Sequence, residues 1–161
     1  MITDIAGLLQ SLAHNDARFI LVGGAAAVAH GSARLTQDVD VVYARDPDNI
    51  RRVVAALEPT KPYPRGAPPG LPFRWDERTV ANGLNFTLQT DLGAIDLFGE
   101  IVGGGGYEQL LPHSFEIAVF GVRCRLLDLE KLIEVKRAAG RPKDYEAIAE
   151  LEAILERSRR G

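Results

Sequence analysis

Residues 19–43 carry the sequence FILVGGAAAVAHGSARLTQDVDVVY, two apolar segments joined by a glycine pair and an alanine-rich turn. The first segment predicts a buried strand over 19–22. The residues after it predict a short helix over 24–30 that opens at the glycines, and the second apolar segment predicts another strand over 39–43. The stretch therefore predicts a strand, a short helix and a second strand in immediate succession.

Two aspartates, Asp38 and Asp40, lie at the start of the second strand and are separated by one residue. Side chains two positions apart on a strand share one face, roughly 6.6 Å apart along the chain. Two partly desolvated carboxylates repel each other, which favours a cation between them, and Mg²⁺ prefers such oxygen ligands. Taken alone, the pair favours a plainer interpretation, in which the aspartates flank a strand entry and form ion pairs with Arg34 or Arg45.

Two further features favour a ligand site. Gly23 and Gly24 end a strand and begin a helix, so their backbone N–H groups are presented without a Cβ in the way, as in a phosphate-binding turn or a plain tight turn. Asp96 lies in the middle of an apolar strand, where a lone carboxylate is costly unless it is paired or bound to metal. Three carboxylates on adjacent strands beside such a turn describe a two-metal phosphoryl-transfer site.

The rest of the chain alternates helical and strand patterns around a proline-rich run. Thr3 is the predicted N-cap of a first helix, and Asp46 with Pro47 begins another. The remaining expectations are a surface loop over 59–72, hairpins over 84–101 and 115–127, and two final helices over 129–139 and 143–158. This order predicts a single α+β (mixed α/β) domain over 1–161, with a core over 1–127 and a C-terminal helical pair over 128–161.

Composition limits the function classes. The chain has 161 residues, 46% hydrophobic and 25% charged, which is typical of a globular domain and argues against disorder. A net charge of −3 gives no general attraction to nucleic acid or membrane. Cys124 is the single cysteine and has no partner for an internal disulfide. No long apolar run or basic N-terminal segment is present, which predicts a cytoplasmic protein without a membrane span.

The glycine pair and the three acids together resemble the signature of the nucleotidyltransferase superfamily, which has the DNA polymerase β-like fold. Val22-Gly23-Gly24 is followed by thirteen residues, then by Asp38-Val39-Asp40, and later by Asp96. Two stretches, AHGSARLTQDVDV (29–41) and LLDLEKLIEVKRAAGRPKDYEAIAEL (126–151), are similar to small bacterial nucleotidyltransferases that include the AbiEii-type toxins. The resemblance covers nearly the whole chain except the proline-rich run.

This resemblance implies a metal-dependent transfer of a nucleotide from an NTP, such as ATP, to an acceptor hydroxyl. Asp38, Asp40 and Asp96 would be the catalytic acids and would bind Mg²⁺ or Mn²⁺, while Gly23 and Gly24 would hold the phosphates. The acceptor would be tRNA, a protein or a small molecule. The AbiEii-like stretches further imply a toxin of a toxin–antitoxin system, with an antitoxin as partner.

Several other residues would support nucleotide binding. The resemblance gives Ser32 a triphosphate oxygen as partner, although a helix C-cap explains it equally well. Lys136 shares the apolar face of its helix, so its ammonium either extends to solvent or points at an internal anion, and the resemblance favours the anion. The remaining basic residues would extend this patch or form a solvated surface: Arg34, Arg137, Arg141 and Lys143.

Three alternatives accompany this hypothesis. A dinucleotide-binding turn at 22–31 lacks the G-x-G-x-x-G spacing. A non-catalytic nucleotide-binding regulatory or antitoxin-like module would use the same fold without turnover. A structural partner protein would use the C-terminal helix with Arg157, Arg159 and Arg160. The glycines of 103–106 lack the lysine of a phosphate-binding P-loop and predict a flexible connector or a lid.

Overall fold

A computed structural model describes residues 2–161, and Met1, at which the predicted domain begins, lies outside them. The described residues form seven α-helices and nine strands. In chain order they are α1 (Ile5–His14), β1 (Phe19–Val22), α2 (Gly23–Ala29), β2 (Asp38–Tyr43), α3 (Pro47–Leu57), β3 (Tyr63–Pro64), α4 (Glu77–Asn82), β4 (Phe86–Thr90), β5 (Gly93–Phe98), β6 (Glu100–Ile101), β7 (Gly105–Gly106), α5 (Tyr107–Leu110), β8 (Ser114–Val119), β9 (Val122–Leu127), α6 (Leu129–Ala139) and α7 (Pro142–Arg160). The predicted α+β fold is confirmed.

The larger sheet is mixed and has the strand order β3-β4-β5-β2-β1-β9-β8. β2 pairs with β5, and β1 with β9, in parallel, whereas the other neighbours are antiparallel. β6 and β7 form a separate two-stranded ribbon, so the glycines of 103–106 belong to a short hairpin. The two predicted long hairpins are the β4–β5 and β8–β9 pairs.

Alternation along the central strands separates the core from the face that carries the acids. Val39 and Val41 are fully buried on one face of β2. Asp38 and Asp40 point to the other face and are partly buried, as is Asp96 on the adjacent β5. The period of two in these strands therefore places valines in the core and carboxylates at one surface of the sheet.

Two groups of helices flank the sheet. α1 contacts α3, and α3 contacts α4. α2 contacts β1 and β2 on one side and α6 on the other, and α6 packs against α7. The second group borders the acidic face, so the C-terminal helical pair closes one side of the cleft above Asp38 and Asp40. No helix within residues 2–161 combines the length and apolar character needed to cross a bilayer.

The N-cap predicted for α3 is confirmed, whereas the one predicted for the first helix is wrong. The carboxylates of Asp46 and Asp128 accept hydrogen bonds from the first turns of α3 and α6, and Gly140 ends α6 with a positive φ of 64°. Thr3 is not the N-cap of α1. Asp4 takes that position through its side chain, while the Thr3 hydroxyl donates to the carbonyl of Gln37.

The proline-rich run 59–72 differs from its prediction as a surface loop. Residues Tyr63 and Pro64 form β3, an edge strand that pairs with Gln89 and Leu88 of β4. Proline is tolerated there because an edge strand leaves half of its N–H groups unpaired. The run therefore contributes to the sheet and brings the residue after it, Arg65, near the acidic face.

Candidate functional site

One lateral row of residues crosses the sheet at the candidate site. Val22 of β1 pairs with Asp40 of β2, Asp40 with Asp96 of β5, and Asp96 with Thr87 of β4. Partners opposite each other in a sheet project to the same face, so the in-register parallel pairing of β2 with β5 sets two carboxylates side by side. Asp38 lies two residues before Asp40 on this face.

The three acids converge as the sequence predicted. One carboxylate oxygen from each of Asp38, Asp40 and Asp96 lies within 4.8 Å of the other two. Asp40 Oδ1 is buried and accepts no hydrogen bond from any residue of 2–161. Asp96 Oδ1 is buried too, and it lies 2.8 Å from Nη2 of Arg65, without the angle of a hydrogen bond. Buried carboxylate oxygens that accept no hydrogen bond within residues 2–161 fit a hard divalent cation such as Mg²⁺ or Mn²⁺.

The pKa of Asp40 reflects the same crowding of negative charge. Burial, together with the negative charges of Asp38 and Asp96, raises the pKa of the Asp40 carboxyl from 3.8 to about 8. The positive charge of Lys136 acts in the opposite direction. Without a bound cation, Asp40 therefore retains its proton near neutral pH, and a metal ion would release that proton.

Gly23 lies directly against Asp40. A Cβ at Gly23 would stand 2.1 Å from Asp40 Oδ2, and the backbone φ of +67° also excludes most side chains. A Cβ at Gly24 would stand 2.8 Å from Thr36 Oγ1. Gly23 is therefore required by the close approach of the β1–α2 turn to Asp40, and Gly24 by its close approach to Thr36.

A cleft of about 380 Å³ lies between the acidic face and the C-terminal helices. These residues, which the sequence predicts for the site, all line the cleft: Gly23, Gly24, Ser32, Arg34, Asp38, Asp40, Asp96, Lys136, Arg141 and Lys143. Arg137 does not line this cleft and forms an ion pair with Glu152 instead. A second, more apolar cavity of about 340 Å³ adjoins it and shares Gly23, Asp40 and Lys136 as walls.

Ser32 and Arg34 already have partners on α7. The Ser32 hydroxyl donates to Glu150 Oε1 at 2.6 Å, and Arg34 Nη2 lies 3.1 Å from Glu146 Oε2. Ser32 is not the C-cap of α2, a position that His30 holds. Glu150 was not predicted as a partner, because nothing in the sequence links it to residues more than a hundred positions away.

Lys136 is half-buried and projects from α6 into the cleft. Within the part of the chain that the structure describes, its ammonium makes no hydrogen bond or ion pair. Burial lowers the pKa of Lys136, whereas the negative charges of Asp144 and Asp40 raise it. Arg141 is engaged instead, since its Nε lies 2.8 Å from Asp144 Oδ2. Lys136 is thus a cation left available for an anion in the cleft.

Arg65 is the residue that sequence reasoning missed. Its guanidinium forms ion pairs with Asp96 at 2.8 Å and with Asp38 at 4.0 Å. Its backbone N–H donates to the Thr87 carbonyl at 2.9 Å, which continues the β3–β4 pairing by one residue. The sequence offered one signal for such a role, since Arg65 is the single charged residue in the proline-rich segment 62–72.

The comparisons with known proteins agree with this site. Residues 2–90 match a family described as a nucleotidyltransferase of unknown function (DUF6036), and the chain belongs to this family. The match includes Gly23, Gly24, Asp38 and Asp40 but ends before Asp96 and the C-terminal helices. No curated protein matches the chain significantly, and the resemblance to AbiEii-type toxins is not confirmed.

The raised pKa of Asp40 gives a testable pH dependence of stability. In metal-free protein the folded state keeps a proton on Asp40 up to about pH 8, whereas the unfolded chain loses it near the ordinary value of 3.8. The folded state binds more protons in this window, so the free energy of unfolding falls as pH rises from about 4 to about 8. Asp40→Asn removes this loss, which we expect to stabilise the metal-free protein at pH 8 by roughly 5 kcal/mol, since each unit of the difference in pKa is worth about 1.4 kcal/mol.

Thermal unfolding followed by circular dichroism at pH 5 and pH 8, with a chelator present, checks this expectation. The midpoint of the wild type should fall more steeply with pH than that of Asp40→Asn. Adding Mn²⁺ at pH 8 should raise the wild-type midpoint and leave that of the variant nearly unchanged. Equal pH dependence in both proteins would contradict the electrostatic account of Asp40.

Proposed function

We propose that this chain is a metal-dependent nucleotidyltransferase that moves a nucleoside monophosphate from an NTP to an acceptor hydroxyl. The observation that carries the proposal is the convergence of Asp38, Asp40 and Asp96 within 4.8 Å, in a cleft that also exposes the unpaired ammonium of Lys136. Carboxylates on one wall and cations on the other suit a metal–triphosphate substrate, whose parts carry both charges.

Asp38, Asp40 and Asp96 would hold the divalent cation. Mg²⁺ or Mn²⁺ bound there would supply the positive charge that neutralises the phosphates and acidifies the acceptor hydroxyl. Asp40, which lies closest to the glycine turn, would hold the cation toward the triphosphate side of the cleft. Asp96, which lies toward Arg65 and the sheet edge, would hold it toward the acceptor.

The protein's own groups would orient the reaction. In the transfer, the acceptor oxygen forms a bond to the α-phosphorus, the bond from that phosphorus to the bridging oxygen breaks, and pyrophosphate leaves. Asp96 is the proposed acceptor of the hydroxyl proton, since it lies beside Asp40 and lines the cleft. The N–H groups of Gly23 and Gly24 would contact the leaving phosphates, with Lys136 opposite them.

Two of the other residues predicted to contact the nucleotide, Ser32 and Arg34, would have to change their hydrogen-bond partners. Ser32 would have to release Glu150, and Arg34 would have to release Glu146, before either could reach a phosphate. Arg141 would keep Asp144 and use its remaining N–H groups, while Lys143 lines the cleft directly. We therefore assign Lys136 the first contact with the triphosphate and treat the others as secondary.

The test is transfer of label to an acceptor. The chain is incubated with each of the four NTPs labelled at the α-phosphate, with Mg²⁺ and a bacterial extract, and the products are separated into RNA, protein and small molecules. We expect one NTP to label one fraction, and release of pyrophosphate to match it. Nucleotide binding without transfer for every NTP would instead favour a non-catalytic regulatory or antitoxin-like module.

A toxin role is the finer form of the proposal and rests on the two AbiEii-like stretches. Induced expression in a bacterial host should then arrest growth, whereas Asp40→Asn expressed to the same level should not. Growth at the normal rate, with the labelling activity intact, would separate the enzyme from the toxin role. An antitoxin partner stays a prediction of the same resemblance, and a cytoplasmic location stays a prediction from the sequence composition.

A further inference from the structure

Arg65 reaches the acidic cluster from the outer edge of the sheet. Its Nη2 lies 2.8 Å from Asp96 Oδ1, and its Nη1 lies 4.0 Å from Asp38 Oδ2. Among the residues from 2 to 161, no other lysine or arginine forms an ion pair with Asp38, Asp40 or Asp96. The guanidinium therefore supplies positive charge at two of the three carboxylates that would hold a divalent cation.

The main chain fixes where this guanidinium points. Pro64 pairs with Leu88, and the Arg65 N–H donates to the carbonyl of Thr87, the cross-strand neighbour of Asp96. Arg65 Nη2 also donates to the Leu88 carbonyl at 2.7 Å. Arg65 thus extends the lateral row of the sheet beyond Thr87 and projects back across β4 toward Asp96.

The hydrogen-bond donors of Arg65 are incompletely satisfied. Arg65 Nε is buried and has no hydrogen-bond partner within the described part of the chain, and the contact with Asp96 lacks good hydrogen-bond geometry. A buried donor without a partner is unfavourable. An arginine whose role was purely structural would be expected to make paired, coplanar contacts with a carboxylate. The geometry instead resembles a cation placed for its charge.

We propose that Arg65 is an internal cation that competes with the divalent ion for Asp38 and Asp96, so that metal binding requires the guanidinium to leave the cluster. The inference rests on the metal site of the proposed function. Arginine stays protonated at any relevant pH, so it cannot lose its charge and has to move. Asp40, which Arg65 does not contact, is the ligand left free to receive the incoming ion first.

This competition predicts that removing the guanidinium charge tightens metal binding. Mn²⁺ is titrated by calorimetry into the wild type, Arg65→Gln and the control Arg123→Gln, all freed of metal first. Arg123 pairs with Glu116 at 3.3 Å on the β8–β9 hairpin and does not line the cleft that holds Asp38, Asp40 and Asp96. We expect Arg65→Gln to bind Mn²⁺ about tenfold more tightly or better, since opposite charges about 4 Å apart interact strongly even at an effective dielectric near 20. Arg123→Gln should match the wild type.

Thermal stability gives a second measurement on the same proteins. Without metal, Arg65→Gln leaves Asp38 and Asp96 without their cation, so its midpoint should lie below that of the wild type. With Mn²⁺ its midpoint should rise by more than that of the wild type. If Arg65→Gln does not fold, Arg65→Lys keeps the charge on a less precisely directed group and should bind Mn²⁺ more tightly than the wild type but by a smaller factor.

The outcomes separate this inference from the proposed function. Equal or weaker Mn²⁺ binding by both Arg65 variants, with measurable binding by the wild type, overturns the competition and leaves the metal site standing. Absence of Mn²⁺ binding in the wild type and in every variant overturns both. Tighter binding by the Arg65 variants alone, together with the larger thermal shift, supports the competition.

Discussion

Replacing Asp40 by Asn is expected to lower the rate of nucleotidyl transfer by at least about 10³-fold, because a cation ligand contributes several kcal/mol to stabilising the transition state. The substitution keeps the size of the side chain and removes only its charge. Asp40 is partly buried and crowded, with the close Gly23 turn on one side and Asp96 on the other. The expected loss is therefore in turnover and not in folding.

The assay is single-turnover transfer of α-labelled nucleotide, with circular dichroism on the same samples. Asp91→Asn is the matched control, since Asp91 is an exposed aspartate in the β4–β5 turn, five residues before Asp96. The control should retain the wild-type rate. Full activity of Asp40→Asn in a folded protein would show that the transfer does not depend on this carboxylate and would end the catalytic assignment.

The acidic site could be predicted because its placement follows a local rule. Strand residues two apart share a face whatever the partner strands are, so Asp38 and Asp40 had to project together. Asp96 required one further inference, that an acid in the middle of an apolar strand has a partner. The register that sets it beside Asp40 is a non-local pairing between β2 and β5, which the strand pattern permits but does not specify.

Arg65 and Glu150 could not be predicted for a related reason. The proline-rich run indicates a loop by composition, and only the free edge of β4 turns Tyr63 and Pro64 into a strand. Glu150 reaches Ser32 because α7 packs against α6, which in turn contacts α2, so this hydrogen bond depends on the tertiary arrangement of the helices. Residues at the edge of the site therefore depend on packing, whereas those at its centre depend on periodicity.

Lys136 shows how periodicity and packing combine. Its position on the apolar face of α6 left two outcomes open, extension to solvent or approach to an anion. In the structure it lines the cleft, stays half-buried, and lies close enough to Asp40 for the two charges to influence each other's pKa. The lowered pKa of Lys136 reflects the cost of burying an ammonium that no residue of 2–161 pairs with, and a bound phosphate would offset that cost.

Lys136→Met is accordingly expected to weaken NTP binding by about 10- to 150-fold, the equivalent of a charge-assisted contact of roughly 1.5–3 kcal/mol. Methionine keeps most of the side-chain bulk, and relief from burying a charge should leave the thermal midpoint unchanged or slightly raised. Calorimetric titration of NTP at constant Mg²⁺ measures the change. Lys131→Met is the control on the same helix, because Lys131 pairs with Glu134 and does not line the cleft. Unchanged affinity in Lys136→Met would mean that the triphosphate contacts lie elsewhere in the cleft, and Arg141 and Lys143 are the basic residues that could then supply them.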